Sequence, residues 1–217
     1  MFRGRSHEFN NCKNNYSLVK KRTPSKTGGG FHINIFMKSF KTFLNEDAQE
    51  FTSAATSINK SKLPTGYTTV HKKFGWKPDT LHIDIGGGKF DNAVEFLKNL
   101  GVEAHVFDPY NRSKEHNQKV MERVSKTGAD TASMFNVLNV IKEPEYRMDA
   151  LRTAHKTLKP GGRIFIGIYE GDRSGVGKKT KADSWQNNMT TAAHLPEVRK
   201  VFPNARIEHG VIHGTKE

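Results

Sequence analysis

The sequence predicts an α/β fold built on a doubly wound, mostly parallel sheet. From residue 81 onward, apolar runs of strand length alternate with amphipathic segments of helix length. A glycine-rich turn, "DIGGG", follows the first apolar run, and "LKPGG" precedes a later one. Parallel strands need crossover connections, and helices usually supply them. The alternation therefore indicates a parallel sheet covered by helices.

The N-terminal part of the chain lacks this alternation. Residues 1–36 have no sustained periodicity and contain the break "TPSKTGGG", so we predict a disordered basic extension. Met37 opens a stretch with helical spacing, and residues 37–66 are predicted to form an N-terminal helix and a polar linker. Residues 67–217 are predicted to form the main domain. Because Met37 looks like a natural start, we hypothesise that residues 1–36 extend the reading frame upstream.

Each element of the domain has a reason in the sequence. "LHIDI" is a short buried strand, and "DNAVEFLKNLG" is a helix whose apolar face carries Ala93, Val94, Leu97 and Leu100. Gly101 ends that helix. The strand "EAHVFD" follows, and then the helix "SKEHNQKVMERVSK".

Ser113 is the expected N-cap of that second helix. "DTASMFNVLNVI" is a third strand with its exit turn, and Pro144 begins a helix whose inner face holds Met148, Leu151 and Leu158. A Pro-Gly-Gly turn then leads into the strand "RIFIGIY". After a polar loop over residues 170–190, "HLPEVRKVF" is a short helix and "ARIEHGVIH" supplies one or two closing strands.

Composition narrows the class of protein. Cys12 is the only cysteine, which excludes a disulfide framework and a thiolate zinc site. His209 and His213 lack the acid of a zinc-binding helix motif, so we predict no metal. No apolar run approaches the ~20 residues that span a bilayer. These observations predict a cytoplasmic protein without a membrane partner.

The net charge of +13 is concentrated near the N-terminus. Residues 1–80 hold 14 Lys and Arg against 5 Asp and Glu, whereas residues 81–217 hold 21 against 17. A basic arm favours a polyanionic partner such as nucleic acid, because neutralising phosphates releases counterions. The alternative is a solvated tail whose charge aids solubility.

The glycine turn predicts a nucleotide-like ligand at the carboxyl ends of the strands. A dinucleotide site would read G-x-G-x-x-G, but the third position here is Asp91, after Gly86 and Gly88. An acid at the helix start repels a pyrophosphate, and Asp84 adds a second negative charge. These acids suit a ligand that carries an ammonium and a sulfonium, such as S-adenosylmethionine. Asp108, at the end of the next strand, can accept both ribose hydroxyls.

On "DIGGG", Asp108, "VLNVI" and "LKPGG", the chain resembles the class I S-adenosylmethionine-dependent methyltransferases over about residues 67–213. The resemblance implies a Rossmann-like methyltransferase fold. "FDPYNRSKEHN", "FNVLNVIKEPEYRMDALRTA" and "IYEGDRSGVGKKTKADSWQNN" look more narrowly like a phage and bacterial group that includes DNA-modification-associated methyltransferases. That group implies a bacterial or phage-infected host cell, and DNA rather than RNA as partner.

The resemblance also assigns positions to the cofactor. Asp84, with the glycines of the turn, would line its methionine end, and Asp108 would hold its ribose. Residues just beyond would flank the adenine, and the end of the "SMFNVL" strand would lie beside the sulfur. The implied cofactor-binding residues are Asp84, Gly86, Gly87, Gly88, Asp108, Pro109, Tyr110, Asn136 and Leu138.

The sequence departs from the family in two places. Only 21 residues separate Asp108 from Asp130, too few for a helix, a strand and a second helix. The third strand of the family is therefore predicted to be reduced. "NVLN" also lacks the two prolines and the aromatic residue of amino-methylating DNA enzymes, and Cys12 is badly placed for methylation of cytosine carbon. A standard DNA base methylase is thus not supported.

Four side chains are candidates for catalysis at the far side of the pocket. Asn136 and Asn139 could orient an amine or a hydroxyl, whereas Tyr169 and Glu170 could accept a proton or fix a substrate. The alternatives are turn-capping for the asparagines and a solvated rim position for Glu170.

The loop "EGDRSGVGKKTKADSWQNN" is the candidate substrate site. Its cations can grip phosphates and its tryptophan can stack on a base. The residues concerned are Arg173, Lys178, Lys179, Lys181 and Trp185. The alternative is a mobile loop with the tryptophan in the core.

The leading interpretation is a methyltransferase for nucleic acid or a nucleotide-derived substrate. A small-molecule or protein methyltransferase is the second. A non-catalytic S-adenosylmethionine-binding module of a modification complex is the third, and a dehydrogenase is a remote fourth. The sequence leaves the oligomeric state open.

Overall fold

The computed structural model describes residues 49–56 and 62–217. The predicted extension over residues 1–36 lies outside these ranges, as does most of the predicted N-terminal helix. Both stay predictions. None of the helices in the described ranges is long and apolar enough to cross a bilayer.

A six-stranded sheet with the order β2-β1-β3-β4-β8-β7 forms the centre of the domain. The four strands from β2 to β4 are parallel, and β8 and β7 are added antiparallel at the far edge. A separate antiparallel hairpin, β5–β6, stands apart from the sheet. The strands are β1 (Leu81–Ile85), β2 (Glu103–Phe107), β3 (Ala129–Phe135), β4 (Leu158–Gly167), β5 (Lys178–Lys181), β6 (Ser184–Gln186), β7 (Arg206–Glu208) and β8 (Val211–Thr215). This arrangement confirms the predicted fold.

Five α-helices cover the sheet: α1 (Thr65–Lys73), α2 (Asn92–Lys98), α3 (Lys114–Thr127), α4 (Pro144–Thr157) and α5 (Thr191–Arg199). Buried residues of α1 and α2 share one apolar cluster, and those of α3, α4 and α5 share another. The sheet therefore carries helices on both faces. All five residues of β1 are buried between these layers, as the apolar run predicts.

Local signals place the helix ends well. Ser113 caps α3, since its Oγ accepts the His116 N–H at 3.2 Å, and Pro144 is the first residue of α4. Leu158, predicted on the inner face of α4, is instead the first residue of β4. Helix α1 was not predicted, because "TGYTTVHKK" has a weak apolar pattern and several β-branched residues. Tertiary burial of Tyr67 holds it in place.

The parallel end of the sheet is shorter than in the resembled family. Between β2 and β3 the chain forms only α3, so β2 is the edge strand among the described residues. This confirms the predicted reduction of the third family strand. The Pro-Gly-Gly stretch is not a turn before β4 but a bulge inside it. Pairing with β3 jumps from Leu158 opposite Ala129 to Arg163 opposite Thr131.

Candidate active site

A cavity of about 370 Å³ lies at the carboxyl ends of the parallel strands. The glycine turn and the end of β2 form one side, and the ends of β3 and β4 form the other. The hairpin and residues 49–56 close it from outside. Its lining residues are Gln49, Thr52, Ser53, Thr56, Gly86, Gly87, Gly88, Asp108, Pro109, Tyr110, Asn111, Phe135, Asn136, Val137, Asn139, Val140, Ile141, Tyr169, Thr180, Trp185 and Gln186. The cavity therefore contains seven of the nine predicted cofactor residues.

The glycine turn needs its glycines for close packing. Gly86 has φ +73°, and a Cβ there would lie 2.7 Å from Cγ2 of Val137. A Cβ on Gly87 would collide with the carboxylate of Asp84. The turn thus fits between the exit of β3 and the end of β1, and a side chain at Gly86 or Gly87 would displace it.

Asp84 lies behind the turn and does not line the main cavity. It borders a small neighbouring cavity of about 20 Å³. Its Oδ1 accepts the hydroxyl proton of Ser133 at 2.7 Å. Burial raises its pKa to about 6, although the hydrogen bonds from Tyr67 and Ser133 oppose that shift.

His82 completes this buried network. Its Nε2 lies 2.9 Å from the Oγ of Ser133, and its Nδ1 lies 2.8 Å from the Oγ1 of Thr131. Because Ser133 gives its single proton to Asp84, the Nε2 of His82 is the donor in the first contact. Burial lowers the pKa of His82 to about 3, so the ring is neutral.

Asp108 joins the glycine turn to the end of β2. Its Oδ2 accepts from the backbone N–H of Gly88 at 2.8 Å and from the Asn111 side-chain amide at 3.2 Å. Its Oδ1 accepts from the backbone N–H groups of Tyr110 and Asn111 at 3.0 and 2.9 Å. These four donors occupy the four acceptor positions of a carboxylate. A ribose hydroxyl would replace the longest bond, the one from the Asn111 side chain.

Asp91 does not face the ligand site, contrary to the prediction from the sequence. Asp91 does not line the cavity, and its carboxylate pairs with Arg112 at 2.6 Å. Arg112 also donates to the carbonyl of Gly88 at 2.8 Å and so supports the turn from outside. The selective charge is that of Asp108, the only charged side chain among the lining residues that the structure describes. A cationic ligand fits this wall, and a pyrophosphate does not.

The predicted residues at the ends of β3 and β4 separate into two groups. Asn136, with φ +61°, and Tyr169, which is 63% exposed, both line the cavity. Leu138 is fully buried and does not line it. Glu170 is also outside the lining. Its carboxylate accepts the Thr191 N–H at 2.7 Å and pairs with Arg173 at 2.7 Å, and these bonds lower its pKa.

Glu170 therefore caps the start of α5, and its lowered pKa makes it a poor proton acceptor. Within the residues that the structure describes, no group of three His, Cys, Asp or Glu side chains is arranged to hold a metal ion.

Asn139 is buried in the cavity wall beside the hairpin. It is 1% exposed, and its Nδ2 donates to Oε1 of Gln186 at 3.0 Å. Gln186 donates in turn from Nε2 to the backbone carbonyl of Tyr169 at 2.9 Å. The sequence could not show this pairing, because Asn139 and Gln186 are 47 residues apart.

The lysines of the predicted substrate loop lie on the hairpin, and all three are exposed. Lys178 pairs with Asp172 at 2.8 Å, and the Nζ of Lys179 lies 5.8 Å from the ring centre of Phe51. The structure thus keeps the predicted cations together outside the cavity mouth. Arg173 is exposed and engaged with Glu170.

Trp185 does line the cavity, but its ring is not free on both faces. It stacks on Phe51 with 5.4 Å between ring centres, and its Nε1 donates to Asn187 at 2.6 Å. Lys142 lies over the same ring at 5.2 Å. The tryptophan is therefore part of the cavity wall, a position between the predicted stacking platform and the alternative of burial in the core.

Sequence reasoning missed the segment over residues 49–56, which forms a clamp on the outer wall. The side chain of Asp183, at the hairpin turn, accepts from the backbone N–H of Thr52 at 3.0 Å and from its hydroxyl. Ser53 donates its N–H to the carbonyl of Asp183 and its hydroxyl to that of Val140. Glu50 pairs with Lys142. No local sequence pattern predicts these contacts, because their partners are far apart in the sequence.

Comparisons with known proteins agree with this geometry. A family model described as "Methyltransferase domain" matches residues 60–208. No curated protein sequence matches the chain significantly. The narrower resemblance to a phage and DNA-modification group is not confirmed by the family match and stays a prediction.

The solved structures with similar folds include the following two. One is 1,6-didemethyltoxoflavin-N1-methyltransferase from Burkholderia thailandensis, with bound 1,6-didemethyltoxoflavin and S-adenosylhomocysteine. It is 14% identical, covers 93% of this chain and 98% of its own, and has a TM-score of 0.55. The other, PigF with S-adenosylhomocysteine, is 14% identical, covers 88% and 71%, and has a TM-score of 0.56. At these identities the likeness shows the fold alone. By its family match, the chain belongs to the methyltransferase-domain family, the Rossmann-like enzymes that take their methyl group from S-adenosylmethionine.

Proposed function

We propose that this protein transfers a methyl group from S-adenosylmethionine to a planar, nucleobase-like group of a nucleotide-derived or nucleic-acid substrate. The observation that carries the proposal is the cavity at the carboxyl ends of the parallel strands. Its described lining has one charge, on Asp108, at the end formed by β1 and β2. Its other end is aromatic, with Phe135, Tyr169 and Trp185.

The residues present fit S-adenosylmethionine. The ligand carries an ammonium and a sulfonium, and the lining offers a carboxylate and no described cation against it. A volume of about 370 Å³ lies in the range of small-molecule pockets, roughly 300–1,000 Å³. Asp108 would hold the ribose, Pro109 and Tyr110 would flank the adenine, and Gly86 and Gly87 would border the methionine end.

When bound, the cofactor supplies an electrophilic methyl group on a sulfonium. The chain's part is to orient the acceptor and to exclude water, because displacement at that carbon depends on alignment. The described lining has no His, Lys, Arg or Glu. The acceptor is therefore a group that attacks as a neutral nucleophile and releases its proton to solvent, such as an amine or a ring nitrogen.

The aromatic end of the cavity suits a flat heterocycle, since ring faces stack favourably on bases. The hairpin cations outside the mouth suit a phosphate attached to that heterocycle. Lys179 and Lys181 lie on strand β5 of the hairpin, and both are exposed. A nucleotide combines both features, which is why we favour it over an uncharged metabolite.

The experiment has two stages. Calorimetric titration with S-adenosylmethionine and, in parallel, NAD tests the cofactor. Micromolar binding of S-adenosylmethionine alone is expected, and a preference for NAD would overturn the proposal. A Lys179→Glu/Lys181→Glu variant then tests the substrate. Its affinity for single-stranded DNA should fall at least about tenfold while cofactor affinity is unchanged. Lys119→Glu/Lys126→Glu, which reverses two exposed charges on α3, is the matched control.

One observation favours a second candidate, a small free substrate. The clamp over residues 49–56 closes the outer wall of the cavity through Asp183 and Val140. A pocket narrowed by such a wall admits a mononucleotide or a small heterocycle more readily than a base within a polymer. Faster turnover of a mononucleotide than of an oligonucleotide that contains it would favour this candidate, and equal turnover would speak against it.

A further inference from the structure

We infer that Oδ1 of Asn139 is a fixed hydrogen-bond acceptor for an N–H or O–H donor on the methyl-accepting heterocycle. The inference rests on the proposed function and specifies its substrate. Asn139 lines the cavity and is 1% exposed, yet its Oδ1 has no hydrogen-bond partner within the described chain. A buried acceptor without a hydrogen bond lowers the stability of the fold, so its presence calls for an explanation, such as a ligand that donates to it.

The orientation of the Asn139 amide follows from its neighbours. The carbonyl of Tyr169 can only accept, so the Gln186 atom facing it must be the Nε2 donor. Oε1 of Gln186 is therefore the atom that faces Asn139, and it requires a donor there. Nδ2 of Asn139 supplies that donor at 3.0 Å. We call these two linked hydrogen bonds, from Asn139 to Gln186 and from Gln186 to the Tyr169 carbonyl, the relay. Because Nδ2 of Asn139 faces Gln186, the other amide atom, Oδ1, is a hydrogen-bond acceptor that points elsewhere.

The position of the relay assigns it to the substrate. In the sheet order β2-β1-β3-β4, Asp108 follows β2, and Tyr169 follows β4 two strands beyond β1. Six of the predicted cofactor residues line the first end, and Asn136 lies where β3 ends, between the two ends. The Asn139–Gln186 pair borders the second end, since Gln186 is bonded to the carbonyl of Tyr169 and is next to Trp185. Because Oδ1 is almost inaccessible to solvent in this structure, its donor belongs to a molecule that fills the aromatic end and displaces the cavity wall slightly as it binds.

This acceptor discriminates between heterocycles. A neutral ring with an N–H, as in guanine or uracil, satisfies Oδ1 when it binds. A ring that presents a lone pair or a methyl group at that point leaves the acceptor unsatisfied or displaces it. A site that forms a hydrogen bond to a polar group of its substrate strongly rejects analogues that lack this group. Asn139 is accordingly a specificity-determining residue, and Gln186 is a positioning residue that acts through it.

The test uses the full chain saturated with S-adenosylhomocysteine. The probes are guanosine and uridine 5′-monophosphates and their forms methylated at ring N1 and N3, respectively. At least one parent nucleotide is expected to bind at least about tenfold more tightly than its methylated form, and Asn139→Leu should erase that difference. The inference is overturned if neither parent binds, if methylation has no effect, or if the difference persists in Asn139→Leu.

Two Gln186 variants separate orientation from simple loss of packing. Gln186→Glu loses the donor to the Tyr169 carbonyl but keeps an acceptor opposite Nδ2 of Asn139, so it should retain the preference for the N–H form. Gln186→Leu lets the amide rotate and should lower that preference at least about fivefold, with folding checked by thermal denaturation. Equal preference in both variants would contradict the relay. Failure of S-adenosylhomocysteine to bind the wild-type chain would instead refute the proposed function.

Discussion

At the scale of single residues, Asp108 carries the cofactor hypothesis. Its carboxylate already accepts four hydrogen bonds, of which the one from the Asn111 side chain is the longest at 3.2 Å. We expect Asp108→Ala to weaken S-adenosylmethionine binding at least about tenfold, because charge-assisted hydrogen bonds and the turn contact are lost together. Asn111→Ala should bind as well as wild type or better. Calorimetry measures both, and a larger loss in Asn111→Ala would contradict the assignment.

Asp84 predicts a pH dependence of cofactor affinity. Its pKa of about 6 means that the carboxyl is mostly protonated at pH 5 and ionised at pH 7.5. An ionised Asp84 behind the glycine turn attracts a cationic ligand, so S-adenosylmethionine affinity should rise a few-fold between those pH values. Asp84→Asn should show a flatter profile in the same titrations. A wild-type affinity that falls with rising pH would refute this explanation.

His82 and Asp84 predict opposite pH dependences of stability. The pKa of His82 is about 3 in the fold against an ordinary 6.5, so its contribution is lost as pH falls below 6.5. The pKa of Asp84 is about 6 against 3.8, so stability from this group rises as pH falls through that window.

The two effects offset one another between about pH 4 and 6. Replacing Asp84 by Asn should therefore make the melting temperature fall more steeply between pH 6.5 and 4.5 than in wild type. Calorimetric melting at both pH values tests this, with Asp79→Asn, an exposed substitution, as control. An identical slope in the Asp84 variant would show that the pair is not coupled to folding in this way.

At the scale of elements, the clamp over residues 49–56 forms part of the outer wall of the cavity. Asp183 accepts two hydrogen bonds from Thr52, and Phe51 stacks on Trp185. We expect Asp183→Ala to speed amide hydrogen exchange in this segment at least about tenfold and to accelerate cofactor dissociation, because the hairpin no longer holds it. Lys181→Ala, in the same hairpin, should leave both unchanged. Unaltered exchange would mean that the other contacts of the segment, such as the stacking of Phe51 on Trp185, are enough to hold the clamp.

At the scale of the whole molecule, the charge of +13 is unevenly distributed. Residues 1–36 carry 7 Lys and Arg against 1 Asp and Glu. If this arm contacts phosphates, a chain that starts at Met37 should bind single-stranded DNA more weakly and with a shallower dependence on salt. Its cofactor affinity should not change. Fluorescence anisotropy at several salt concentrations measures the slope, and equal slopes would place the contacts in the main domain.

Local features of the sequence determined the frame of this protein. The alternation of apolar runs identified the parallel sheet, and capping and proline signals placed the starts of α3 and α4. The glycine turn and Asp108 were visible because their chemistry depends on neighbours in sequence. The small number of residues between Asp108 and Asp130 also predicted the reduced edge of the sheet.

Only the tertiary structure decided how the site is closed and which side chains are free to act. Glu170 became a cap for α5, and Asp91 found a partner in Arg112. Asn139 is hydrogen-bonded to Gln186, 47 residues away in sequence, and Thr52 is hydrogen-bonded to Asp183, 131 residues away. These residues are far apart in sequence, so no periodic pattern relates them. Folding sets the distance between their side chains, and burial decides which of their ionisable groups are charged.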